Sequence, residues 1–208
     1  MVITLLSESL LAEAAALLSV AEPRFAGVVA RHGLPSLRHG VAGLEGLLHL
    51  VTEQFLSLRA ADAIWQRLRA RLSPFTPDTI LACPADELYG LGLSRAKVKS
   101  FHGIAEAAPD FAGFQALPDE AVRQALLALP GVGPWTAENY LLSCLLRPDA
   151  WPVGDIALQN AARDLFGLPV RPTAPELARI GEQFAPWRAV AARLLWSHYR
   201  GMKALPQA

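Results

Sequence analysis

One carboxylate, Asp155, lies in a local sequence that suits it to chemistry at a sugar. It ends the run Trp-Pro-Val-Gly-Asp, residues 151–155, and residues 156–166 after it have the apolar spacing of a helix, so Asp155 is predicted to be a helix N-cap. The partial positive charge at a helix N-terminus keeps such a carboxylate ionised. An ionised carboxylate stabilises an oxocarbenium-like sugar or positions water against it. The local sequence alone favours the capping role, and the two roles are compatible.

A second informative segment precedes this carboxylate. Residues 129–137 are Leu-Pro-Gly-Val-Gly-Pro-Trp-Thr-Ala, with helices predicted on either side over 119–128 and 135–146. Gly131 and Gly133 can take positive φ and bring bare backbone to the surface, and the N-terminus of the second helix favours a phosphate. We interpret the segment as a helix-hairpin-helix that holds one DNA strand without reading its sequence. The alternative is a glycine-closed turn between two packed helices.

Composition limits the class of protein. The chain has 208 residues, 52% of them hydrophobic, which predicts a folded globular protein. Its formal net charge of zero counts against nucleic-acid binding, for which a basic domain is usual. Basic residues cluster over 59–71 and 95–99, where solvated helix faces are an equal explanation. No apolar stretch is long enough for a bilayer, and no secretory leader is evident. Two separated cysteines, Cys83 and Cys144, indicate a reducing cytoplasm without a disulfide framework.

The remaining signals are helical and predict an all-α fold. No alternating strand pattern and no internal repeat is found. Ser94 is the predicted cap of one helix, and the Gly90-Leu91-Gly92 run before it is a predicted turn. Further helices are predicted over 7–18, 23–32, 44–56, 60–72, 84–89, 95–107, 175–184 and 187–199.

The hairpin string, its flanking helices and the position of Asp155 just past the second helix resemble the helix-hairpin-helix (HhH-GPD) DNA glycosylase superfamily. The chain is most similar to the 3-methyladenine DNA glycosylase II type, over residues 41–205. The resemblance implies one domain, residues 1–208, with two helical lobes around a cleft. That type usually carries an N-terminal sheet domain, whereas the residues before the shared core are predicted here to be helical.

The resemblance also assigns roles to residues of this chain. Asp155 becomes the catalytic carboxylate of a base-flipping enzyme that hydrolyses the N-glycosidic bond of alkylated purines. Trp135 and Trp196 become the base pocket, where indole faces attract a cationic base by about 0.5–2 kcal/mol. Phe55 becomes the wedge that enters the base stack, with Gln54 beside it, although Phe55 as a core residue is an equal alternative. The residues implied at the DNA backbone are Gly131, Val132, Gly133, Thr136, Gly92, Ser94 and Lys97.

Two expectations about cofactors and side activities follow from the same resemblance. Carbonyl oxygens of Leu127, Leu129 and Val132 are the implied ligands of a structural Na⁺ or K⁺, and no cofactor is required for the chemistry. Trp135 occupies the position of the lysine that gives some members strand-cleaving (AP lyase) activity, so none is expected here. Two cysteines cannot supply the four-cysteine loop of an iron–sulfur cluster.

Rival functions remain open at this point. The same fold could act on deaminated or mismatched bases, or the chain could be a non-catalytic module that binds damaged DNA. A purely structural helical protein is a further alternative. We expect the partner to be damaged double-stranded DNA rather than a membrane, and the protein to be a cytoplasmic monomer of bacterial type.

Overall fold

The computed structural model describes residues 5–37 and 39–204, and every regular element in them is helical. No strand occurs in these residues, so the predicted all-α class is confirmed. A 3₁₀ turn (Gly113–Ala116) and a π turn (Tyr140–Cys144) accompany the α-helices. The α-helices are α1 Glu8–Ala21, α2 Pro23–His32, α3 Leu44–Glu53, α4 Leu58–Leu72, α5 Pro77–Leu81, α6 Ala85–Gly90, α7 Arg95–Ala107, α8 Asp119–Leu127, α9 Pro134–Asn139, α10 Ile156–Phe166, α11 Ala174–Glu182 and α12 Arg188–Ala204.

The helices form two compact units. The first unit takes the residues up to His39 and those from Leu146 onward, and so contains α1, α2, α10, α11 and α12. The second unit, Gly40–Leu145, contains α3 to α9. The family similarity expected over residues 41–205 and the single domain expected over residues 1–208 stay predictions. Within the described ranges, no helix combines the length and apolar character needed to cross a membrane.

Helix α2 of the first unit shows how local sequence sets its boundaries. Pro23 occupies the first turn, where its missing N–H costs nothing. Gly33 ends the helix at φ 74°, a backbone conformation that favours glycine. The inward face buries Phe25, whose ring lies 5.3 Å from that of Phe184 and 6.1 Å from that of Phe166. Helix α12 packs against both α2 and α10, so this aromatic core supports α10, the helix that follows Asp155.

Helix α7 supports the second unit. The Ser94 hydroxyl caps it by accepting from the Lys97 N–H, as the sequence predicts. Its inward face buries Phe101 and Ile104 completely, and it packs against α3, α5 and α6. One helix therefore lies against α3 and against two short helices that follow α3 in the chain.

Several predicted helix ends differ from the structure. The helices predicted over 7–18 and 187–199 continue to Ala21 and Ala204, whereas two others end early. The helix expected over 135–146 ends at Asn139 and widens into the π turn, where the Leu145 N–H donates to the Tyr140 carbonyl at 3.0 Å. The Ser143 carbonyl instead accepts from the Gly40 N–H at 2.9 Å, a tertiary contact that competes with regular α-helical bonding. The helix expected over 44–56 ends at Glu53, because the backbone of Gln54 turns to φ −51°, ψ 128°.

Candidate active site and nucleic-acid interface

Asp155 caps α10 in the first unit, as the sequence predicts. Its Oδ1 accepts a hydrogen bond from the Leu158 N–H at 2.8 Å. The chain approaches the cap through a tight turn in which the Asp155 N–H donates to the Pro152 carbonyl at 2.9 Å. The carboxylate is partly exposed. Half-exposed placement at the positive end of a helix suits an anion that acts on a positively charged sugar.

The same carboxylate oxygen accepts from an indole. Trp196 Nε1 on α12 lies 3.1 Å from Asp155 Oδ1, so two donors fix one oxygen of the carboxylate. A carboxylate held by two donors from different helices keeps one rotamer, which is the kind of preorganisation that electrostatic catalysis needs. Sequence reasoning assigned Trp196 to the base and did not detect this bond, since residues 155 and 196 are distant in sequence.

The loop before Asp155 is fixed from behind. Trp151 is buried, and its Nε1 donates to the Leu177 carbonyl at 2.9 Å. Gly181 makes room for this indole, because a Cβ there would lie 2.4 Å from Trp151 Nε1. Gln159 Nε2 donates to the Val153 carbonyl at 2.9 Å. These contacts hold Trp151 and Val153, the first and middle residues of the 151–155 run, in place.

The predicted helix-hairpin-helix is present in the second unit, formed by α8, the turn and α9. The Val132 N–H donates to the Leu129 carbonyl at 3.2 Å, and Gly131 takes φ 77°. A Cβ on Gly131 would lie 1.9 Å from Ser100 Oγ, so glycine is required twice, by conformation and by contact. Pro130 packs in the same way on Gly103, where a Cβ would meet the proline ring at 2.5 Å. The two small residues on α7 thus receive the hairpin.

Open surface begins at the start of α9. Nothing lies within 4 Å of where a Cβ on Gly133 would be, and its φ of −100° is open to any residue. The Thr136 side chain is buried and its hydroxyl accepts from Gln54 Nε2 at 2.8 Å, so contact between Thr136 and DNA is restricted to its backbone. Arg123 of α8 joins the two hairpin helices by pairing with Glu138 of α9 at 2.5 Å, and it also pairs with Glu120 in its own helix at 2.5 Å.

Phe55 is fully exposed, with a relative accessibility of 104%. The alternative that Phe55 is a core residue is therefore wrong. Its backbone has φ 57°, which costs a bulky residue about 1–3 kcal/mol. The Leu56 N–H donates to the Glu53 carbonyl at 3.2 Å, and we call residues 53–56 the wedge turn. An exposed aromatic held in a strained turn fits the predicted wedge, which itself stays a prediction.

Two polar side chains fix the wedge turn from within the second unit. Gln54 Nε2 donates to the Gly131 carbonyl at 3.0 Å as well as to the Thr136 hydroxyl. Lys97 Nζ donates to the carbonyls of Thr52 and Gln54, at 2.8 Å each. The family resemblance implied that Lys97 lies at the DNA backbone, and that contact stays a prediction. Its bonds to the end of α3 are a role that sequence reasoning missed, because they join residues far apart in the chain.

The 90–94 turn has its own support. Gly92 takes φ 111°, and a Cβ there would lie 2.8 Å from an Arg67 guanidinium nitrogen. Arg67 Nε donates to the Leu91 carbonyl at 2.8 Å. Gly92 and Ser94 are both exposed, and their predicted contacts with DNA backbone stay predictions.

The two predicted pocket tryptophans lie in different units. Trp135 is in α9 of the second unit and Trp196 in α12 of the first, and both are partly exposed. The Trp135 carbonyl accepts from Asn139 Nδ2 at 2.8 Å. A pocket shared by the two indoles stays a prediction.

Comparison with known proteins places these features in one family. The model of the "HhH-GPD superfamily base excision DNA repair protein" family matches residues 48–186. Two curated relatives come from Schizosaccharomyces pombe. The alkylbase DNA glycosidase-like protein mag2 is 30% identical over 164 residues, 74% of this chain and 77% of mag2. DNA-3-methyladenine glycosylase 1 is 32% identical over 160 residues, 73% and 70% of the two chains.

Solved structures agree with the sequence relatives. The S. pombe 3-methyladenine DNA glycosylase Mag1, solved in complex with abasic DNA, superposes with a TM-score of 0.82 at 29% identity and covers 88% of this chain and 95% of its own. A Bacillus halodurans DNA-3-methyladenine glycosidase superposes with a TM-score of 0.73 at 26% identity, over 89% and 88% of the two chains. The fold built around the hairpin is thus the fold of these proteins.

Proposed function

We propose that this chain, which belongs to the HhH-GPD superfamily of base excision DNA repair proteins, is a monofunctional DNA glycosylase that removes alkylated purines from duplex DNA. Its relatives mag2 and Mag1 are named for alkylated bases and 3-methyladenine. The observation that carries the proposal is Asp155, capping α10 with its Oδ1 held by the Leu158 N–H and Trp196 Nε1. The sequence predicts that this carboxylate stabilises an oxocarbenium-like sugar or positions water against it.

The proposed chemistry needs little beyond this carboxylate. Alkylation at N3 or N7 makes the purine cationic, so the base leaves with the electron pair of the C1′–N bond and becomes neutral. The sugar then carries the positive charge, which the Asp155 carboxylate stabilises. Water adds to C1′ and loses a proton, which leaves an abasic site and a free base. A cationic leaving group requires no general acid, which is why one carboxylate suffices.

DNA binding is assigned to the second unit. The hairpin presents the backbone of Gly131, Val132 and Gly133, and open space lies next to Gly133, where a phosphate can approach backbone N–H groups. Phe55 fills the gap left by the flipped nucleotide, as apolar wedges do in other bent or kinked duplexes. Trp135 and Trp196 remain the residues proposed to contact the cationic base.

A monovalent cation fits the hairpin by donor type. Carbonyl oxygens are the ligands that hard cations take, and the Val132 N–H bond to the Leu129 carbonyl places two of the three predicted ligand residues in one turn. We propose that Leu127, Leu129 and Val132 hold such an ion through their carbonyls. When bound, it adds positive charge beside the proposed phosphate position.

Base release from a substrate panel tests the proposal. Duplexes methylated at purines, and matched duplexes with uracil, hypoxanthine or a mismatch, are incubated with the protein, and freed bases are separated by chromatography. We expect release of 3-methyladenine and 7-methylguanine, with strand breaks appearing only after alkali because Trp135 supplies no amine. Release confined to the neutral lesions would assign the fold to another substrate class. Tight binding without release of any base would identify a non-catalytic module.

A further inference from the structure

Polar contacts join the proposed wedge to the proposed phosphate anchor. Lys97 Nζ donates to the Gln54 carbonyl, and the Gln54 side chain donates in turn to the Gly131 carbonyl and the Thr136 hydroxyl. We propose that Lys97 is a positioning residue that, together with Gln54, fixes Phe55 at a set place relative to the hairpin. This inference rests on the proposed function, since it assigns a role in base flipping.

Lys97 meets a need at the end of α3. The last carbonyls of a helix have no partner within it, and a cation beside them is favoured by the helix dipole. Lys97 Nζ lies 2.8 Å from the Thr52 carbonyl and 2.8 Å from the Gln54 carbonyl. Burial lowers the pKa of Lys97, and these two carbonyls offset the cost of holding an ammonium group there. Lys97 therefore caps the C-terminus of α3 and is not a solvated surface lysine.

The cap explains how Phe55 keeps its conformation. Its φ of 57° is unfavourable for a bulky side chain, and its ring is fully exposed, so its own packing does not hold it there. Strained backbone persists when the surroundings determine it. Gln54, the residue before it, is held at two points. Lys97 donates to its backbone carbonyl, and its side-chain amide donates to the hairpin. Loss of Lys97 therefore leaves the turn at Phe55 able to relax.

A fixed spacing between wedge and hairpin matters for flipping. The hairpin is proposed to hold the sugar–phosphate backbone, so the wedge has to enter one particular base step, and small displacements of a positioning group are costly. Helix α7 supplies the common support, because it carries Lys97 toward α3 and receives the hairpin at Ser100 and Gly103. Lys97, Ser100 and Gly103 lie on one side of α7, because they are spaced at i, i+3 and i+6.

Base unstacking measures the proposed role without depending on catalysis. The probe is a duplex with an abasic-site analogue and 2-aminopurine in the adjacent step, whose fluorescence rises when the base loses its neighbour. At saturating protein we expect a rise with the wild type, most of it lost in Phe55→Ala. Lys97→Met should lose about half or more of the rise, and Lys97→Met added to Phe55→Ala should change nothing further, because both act on one insertion.

Matched controls separate this role from charge and from folding. Lys99→Met removes one charge from the same helix at an exposed position and should keep the full fluorescence rise. Lys97→Met should keep the salt dependence of binding, whereas loss of a phosphate contact lowers that slope by about 1. Gln54→Met removes the bonds from the Gln54 side chain to the hairpin and should also reduce the fluorescence rise. This variant keeps the test decisive if Lys97→Met lowers Tm so far that the protein is not folded.

The outcomes separate two failures. A full fluorescence rise in Lys97→Met, or a reduced salt slope, would overturn the positioning role. Additive losses in the double variant would overturn it as well, because they place Lys97 outside the wedge. Release of methylated bases by the wild type is measured in parallel. Its absence contradicts the proposed glycosylase activity, while the fluorescence result still decides the role of Lys97.

Discussion

Replacement of Gly131 by alanine destabilises the hairpin in two ways, through a steric clash with Ser100 and through an unfavourable backbone φ. The new Cβ would lie 1.9 Å from Ser100 Oγ and 2.8 Å from Ser100 Cβ, and overpacking of this kind costs about 1–3 kcal/mol. The φ of 77° costs a non-glycine residue about 1–2 kcal/mol. Alanine also lowers the conformational entropy of the unfolded chain, which offsets about 0.4–1 kcal/mol of this destabilisation. We expect a net loss of about 3 kcal/mol in the free energy of unfolding.

Thermal unfolding measures that loss. For a chain of 208 residues, about 3 kcal/mol lowers Tm by roughly 6–12 °C. Ser100→Gly in the Gly131→Ala background removes the contact but not the φ term, so it should restore about half of the loss. Gly133→Ala is the matched control: it meets open space at an ordinary φ and should leave Tm within about 1 °C. Equal destabilisation by Gly131→Ala and Gly133→Ala would refute the reasoning.

Three further outcomes are expected. Gly133→Ala should weaken binding to abasic duplex despite its normal Tm, because the added methyl group occupies the space where the phosphate is proposed to approach; unchanged affinity would contradict that position. Trp196→Phe removes one donor to Asp155 Oδ1 and should slow base release by about tenfold or more, which single-turnover kinetics measures; an unchanged rate would show that the bond is dispensable. Burial raises the pKa of Cys144 to about 12 and also raises the pKa of Cys83, so both thiols stay protonated at pH 8. Both should therefore react with a disulfide reagent only in denaturant. Rapid reaction of the folded protein would contradict their burial.

Local signals predict the elements that local physics controls. The boundaries of α2 follow from Pro23 and Gly33, and the cap of α10 from Asp155, because each acts within one turn of its own helix. The hairpin follows in the same way from two glycines between apolar-periodic stretches. The family resemblance then assigned the fold and the alkylated-base activity named in the relatives.

Long-range contacts explain what the sequence did not predict. Helix α3 stops at Glu53 where Lys97, 43 residues beyond Gln54, bonds the terminal carbonyls. The helix after the hairpin widens where the Gly40 N–H, distant in the chain, donates to the Ser143 carbonyl. A local bond accompanies it, in which the Ser143 hydroxyl donates to the Asn139 carbonyl at 2.6 Å. The Trp196 bond to Asp155 is equally non-local. Periodicity carries no information about such partners. Small residues at Ser100 and Gly103 on α7 were the available signal for the hairpin contact.

The central claim is that Asp155 supplies the charge that drives base release. Asn is as good an N-cap as Asp, so Asp155→Asn keeps the bond from the Leu158 N–H while it removes the negative charge. Release of 3-methyladenine and 7-methylguanine from methylated duplex is measured for both proteins, with Tm as the check on folding. We expect unchanged Tm, retained binding to abasic duplex and release slower by about 100-fold or more. Release at the wild-type rate by a folded Asp155→Asn protein would contradict the account.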